Sequence, residues 1–171
     1  TAGVICPAKL VGSQCVDCVK EAQPPTREAM RRWAASRPTM MTKVFIGISV
    51  GVFLYGVLRG DGLFSSSLGV VQRNYGLNPI LVDANGEWWR IFTSGFVHFG
   101  LLHLALNMLV LVFVGAQVER VVGASALVFA YLIGALVAAA AQFVVDPAST
   151  VPLVGASGAI SALFGLYALF F

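Results

Sequence analysis

Two histidines and an asparagine interrupt an otherwise apolar stretch, at His98, His103 and Asn107. His103 and Asn107 are four apart, so on a helix they share one face. Polar side chains in apolar surroundings need partners, found either across a helix contact or around a wet cavity. A second constellation, Gly155-Ala156-Ser157-Gly158, opens a later apolar run. A serine hydroxyl is a weak nucleophile until a base takes its proton. Flanking glycines let backbone approach closely. A helix starting at the serine would aim unpaired N–H groups at a developing oxyanion. Ordinary helix packing accounts for either constellation taken alone. The two together are much less expected from packing than either alone.

The elements that must position these groups belong to a bilayer. Of the 171 residues, 58% are apolar and 11% charged, where a soluble domain carries about 25% charged residues. After Arg120 the only Asp, Glu, Lys, Arg or His is Asp146. A charge at mid-membrane costs roughly 2.5–3.5 kcal/mol even on the lenient insertion scale. The expected fold class is therefore all-α, a polytopic membrane helical bundle. Four spans are expected, at 44–60, 92–117, 124–145 and 155–171. Between the first two runs a long loop with turn signals at Asn78-Pro79 and Asn85-Gly86.

Three domains follow: a Cys-bearing segment at 1–19, a basic linker at 20–43 with a short helix expected at 26–35, and the membrane domain at 44–171. Five Lys or Arg lie within residues 27–43, which places the N-terminus in the cytoplasm. Arg59 runs against that rule. The net charge of +3 comes largely from this linker, so it speaks to topology and not to nucleic acid. On this map Ser157, His103 and Asn107 should line one water-reachable hollow just beneath the outer face. The Thr1 start and the close inside an apolar run read as the ends of a piece.

The spacing H-x4-H-x3-N on one span, followed two spans later by G-A-S-G, resembles the rhomboid family of intramembrane serine proteases. Trp89-Arg90 resembles the family's W-R motif, and Glu119 with Gly123 its E-x-x-x-G element. The resemblance covers residues 43–171, about four of some six core spans. It implies that Ser157 is the nucleophile and that His103 and Asn107 stabilise the oxyanion, with Gly155 and Gly158 in support. It implies structural roles for His98, Arg90 and Glu119, the last two paired with each other. The general-base histidine is expected on a sixth span, beyond this chain, so these 171 residues alone should be inert. Ser161 departs from the pattern, since many relatives have an aromatic there.

The implied activity needs no cofactor. The expected substrates are single-span membrane proteins, cut within or beside the spanning segment, and the bilayer itself is a partner. The expected location is the plasma membrane, as a multi-pass protein of bacterial inner-membrane type. Cys15 and Cys18 in C-x2-C spacing, with Cys6 upstream, resemble half of a small zinc module. A structural zinc site needs four ligands, so any zinc belongs to the intact protein. Two other functions fit the polar groups. One is a catalytically inactive rhomboid-like protein that holds transmembrane clients. The other is a transporter with His98, His103 and Asn107 along a polar path.

Overall fold

The computed structural model describes residues 10–11, 14–15, 36–64 and 68–170. The chain divides into two units, Thr1–Ser36 and Arg37–Phe171. In the first, β1 (Leu10–Val11) pairs antiparallel with β2 (Gln14–Cys15), Leu10 opposite Cys15. The helix expected at 26–35 lies outside the described residues.

The second unit is helical. Its long helices are α1 (Met40–Leu58), α5 (Gly100–Val122) and α6 (Ala124–Val145), each long and apolar enough to cross a membrane. The shorter α7 (Ser157–Phe170) is apolar too. The described residues between 59 and 99 hold three short helices: α2 (Val70–Tyr75), α3 (Pro79–Asn85) and α4 (Arg90–Thr93), the last running into a 3-10 turn at Ser94–Phe96. The bundle is apolar outside as well as inside. Leu54, Leu106, Phe113, Phe129 and Val137 are all more than half exposed, a pattern that suits lipid as the surrounding solvent.

Local chemistry sets the helix ends. The Asn78 side chain accepts the Leu81 N–H and Pro79 opens α3, while Gly86, at φ +68°, closes it. The turn signals thus cap a helix within the loop. The second span was expected from residue 92, but the chain breaks first: Val97 is extended, Gly100 takes φ +62°, and α5 begins there. His98 therefore sits in the entering loop and not on the helix. The first span was expected at 44–60 and the helix occupies 40–58, because Glu119 caps its start.

That cap corrects the expected Arg90–Glu119 pair. The buried Glu119 carboxylate accepts from Met41 N, Thr42 N and the Thr42 hydroxyl at 2.9, 2.8 and 2.7 Å. It supplies the acceptors that the first turn of α1 lacks and an anion for its dipole. Arg90, also buried, pairs with Glu87 and donates through Nη1 to the carbonyls of Arg73 and Gly76 at 3.0 and 2.9 Å. Arg90 precedes α5 and Glu119 lies near its end, and a helix of that length is about 34 Å long. Each charge is satisfied by the helix terminus nearest to it.

The core gathers Phe45 and Phe53 of α1, Leu104 and Leu111 of α5, Leu127 and Tyr131 of α6, and Leu163 of α7. Tyr131 packs on Phe45 with rings tilted and centroids 4.3 Å apart, and its hydroxyl donates to the Gly95 carbonyl at 3.0 Å. This ties the 3-10 turn to α6. Helices α6 and α7 meet through small residues. A methyl on Gly158 would lie 2.3 Å from the Ala138 methyl, and one on Gly134 would lie 2.7 Å from that of Ala162. Glycine at both positions is what lets the two backbones approach.

Candidate active site

Ser157 is the first residue of α7, and the turn before it is fixed at four points. Leu153 and Leu77 exchange two backbone hydrogen bonds, at 2.8 and 3.0 Å. Gly155 N donates to Ser94 O at 2.9 Å, and Ala156 N donates to His98 Nε2 at 3.4 Å. Gly155 itself takes φ +111°, a left-handed conformation that favours glycine. The helix that follows leaves the N–H groups of its first turn without intrahelical acceptors. Ser157 is exposed, beside a hollow of about 300 Å³ lined also by Ala138, Gln142 and Gly155.

His98 is buried, and both of its ring nitrogens are engaged. Nε2 accepts from Ala156 N, so Nδ1 carries the proton and donates to Phe96 O at 3.2 Å. This imidazole is a strut between two turns. His103, half-buried on α5, accepts the Phe99 N–H at Nδ1 over 3.3 Å. In the neutral ring that assigns the remaining proton to Nε2 and makes it a donor. The ring lies against Gly155, where a Cβ would come within 2.8 Å of Nε2. Asn107, one turn on and buried, donates one Nδ2 hydrogen to His103 O at 2.9 Å. Its second N–H remains for another acceptor. Ser161, exposed, donates its hydroxyl proton to Ser157 O at 2.9 Å.

The structure thus brings His98, His103, Gly155 and Ala156 together, with Asn107 bonded behind His103. The single hollow expected from spacing is divided. His103 lines its own hollow of about 520 Å³ with Phe99 and Leu106. Ser157 faces the other hollow, and Gly155 lies between, lining the Ser157 side and touching the imidazole. Neither described histidine hydrogen-bonds the Ser157 hydroxyl.

A family model described as the Rhomboid domain matches residues 85–171, half of the chain. The chain belongs to the rhomboid family. Its apolar helices and this membership make it a multi-pass membrane protein. This rhomboid is 34% identical over 129 residues to rhomboid protease GluP of Bacillus subtilis, covering 75% of the chain and 24% of that protein. It is 32% identical to human rhomboid-related protein 3, covering 80% of the chain and 34% of the relative. It is also 28% identical to the inactive RHOMBOID-like protein 8 of Arabidopsis thaliana, covering 68% and 32%. The chain therefore spans about a quarter to a third of the length of these relatives.

Two residues that hold this rhomboid's site were missed in the sequence. Gln72 of α2 is buried and donates through Nε2 to His98 O at 2.8 Å. Ser94 offers its carbonyl to Gly155. A backbone carbonyl leaves no trace in residue type. Gln72 had one signal, an uncharged carboxamide next to Val70-Val71 in an apolar loop. Of the cysteines, Cys6 and Cys18 lie outside the described residues, and Cys15 is described only as backbone in β2. Among the described residues no three His, Cys, Asp or Glu side chains cluster to hold a metal.

Proposed function

We propose that this rhomboid is an intramembrane serine endopeptidase that cuts membrane proteins within or beside their spanning segments, with Ser157 as nucleophile. In this reading the Ser157 Oγ attacks the scissile carbonyl carbon. Its proton passes to the sixth-span histidine that the family resemblance implies, and later to the leaving amine. The carbonyl oxygen, now an anion, is held by the N–H of Ser157 and by the Nε2–H of His103. The second Nδ2 hydrogen of Asn107 adds a third donor. Neutral donors suit this task, because they stabilise the anion without bringing a formal charge into the membrane.

The observation that supports the reading most is the contact of the His103 imidazole with Gly155, two residues before Ser157 and at the start of the α7 turn. It sets a neutral N–H donor beside a helix N-terminus that begins with a serine. The engagement of His98 at both nitrogens argues for a structural role and against general base. The cations of residues 27–43 favour a cytoplasmic N-terminus and a site near the opposite face of the plasma membrane.

The test is cleavage of a single-span reporter by the full-length protein reconstituted in vesicles. Ser157→Ala should abolish cleavage and fluorophosphonate labelling while insertion is unchanged. Cleavage that survives in Ser157→Ala would remove the serine from its role. Client capture without cleavage by the unaltered protein would favour the binding-protein reading.

A further inference from the structure

A cleft of about 410 Å³ opens between α1 and the first loop, and neither Ser157 nor His103 lines it. Gly51 and Tyr55 of α1 form one wall, Val71 and Tyr75 of α2 the other, with Phe96 and Val97 behind. The volume falls in the range of roughly 300–1,000 Å³ typical of small-molecule sites. Gly51 gives the cleft its depth, since a Cβ there would meet nothing within 4 Å. The hydroxyls of Thr93, Tyr55 and Tyr75 are the few polar groups on its wall, so the cleft offers water few hydrogen bonds. In a bilayer an apolar chain suits it.

The mouth has a different chemistry. Arg59, which follows the last turn of α1, is exposed and holds its guanidinium carbon 5.9 Å from the centre of the Tyr55 ring. Among the described residues no carboxylate oxygen lies within 4 Å of the Arg59 guanidinium. Two tyrosines on the wall of an apolar cleft, with an exposed arginine over one of them, match the headgroup level of a bilayer. There aromatic rings settle and guanidinium groups bind phosphate.

We propose that the cleft between α1 and α2 binds one anionic phospholipid, its acyl chain over Gly51 and its phosphate on Arg59. This is independent of the protease reading. The chain would pack on Val71, next to the Gln72 that holds His98, and so would brace the loop behind Ser157.

The experiment is native mass spectrometry of the delipidated full-length protein in neutral detergent, titrated with phosphatidylglycerol or phosphatidylcholine. The expected result is one retained lipid, with phosphatidylglycerol favoured about tenfold, close to 1.4 kcal/mol. Gly51→Leu should lose the lipid of either headgroup, whereas Gly51→Ala should keep it as a folding control. Arg59→Gln should keep a lipid and lose the headgroup preference. Equal retention by Gly51→Leu, or no preference in the unaltered protein, would overturn the assignment. A dimer in the same spectra that Gly51→Leu dissociates would give the cleft to a second copy of the chain instead.

Discussion

The alpha-carbon of Gly155 lies so close to the His103 ring that a methyl there would fall 2.7 Å from Cε1 and 2.8 Å from Nε2. The turn before Ser157 and the imidazole on α5 are therefore placed by the absence of one side chain. Gly155→Ala must both leave φ +111° and push the ring aside. We expect a loss of reporter cleavage of about 100-fold, the scale of a 1 Å misplacement. A fall in melting temperature should accompany it. Near-normal turnover would show that His103 need not touch this turn.

Gln72 is expected to act as a positioning residue, because it holds His98 through the backbone and never meets the reacting atoms. Gln72→Leu leaves the His98 carbonyl without its donor, a cost of about 1–3 kcal/mol for a buried group. The expected signature is a lower kcat at unchanged KM, with faster hydrogen exchange at the Ala156 amide. A drop in stability with kcat and amide exchange both unaltered would reduce Gln72 to packing.

Glu119 stabilises the entry of α1 at the opposite end of α5 from His103. Glu119→Ala removes three hydrogen bonds to one carboxylate and should destabilise by about 2 kcal/mol, the upper range for losing a helix cap. Chemical unfolding in detergent measures this. The folded fraction should still label with fluorophosphonate at the normal rate, since the cap is remote from Ser157. A changed rate would mean that the α1 entry is coupled to the site.

The Glu87 carboxyl is held below its ordinary value of 4.5, first by its hydrogen bond to Arg90. A carboxylate with a lowered folded pKa contributes stability that is present above 4.5 and lost as the pH falls through the lowered value. Because the Glu87 side chain is partly exposed, solvent screens the pair and the contribution is small. Thermal unfolding followed from neutral pH into that acidic range should show a slope that Glu87→Gln lacks. Equal slopes in the two proteins would sever the pair from stability.

Much of this was legible in the sequence because the bilayer enforces it. Charge scarcity marks spanning helices, since a charge in lipid is costly, and so the four apolar runs could be read as four helices. Spacing alone put His103 and Asn107 on one helix face and Ser157 at a helix start. Only the tertiary structure decided the partners. The family resemblance implied an Arg90–Glu119 pair, yet hydrogen bonding at helix termini is short-ranged, and each bonds orphan backbone groups of a different helix end instead. The role of His98 likewise depended on Ala156, 58 residues away. Sequence fixes which groups carry polarity; the folded backbone decides which unpaired donor or acceptor each one meets.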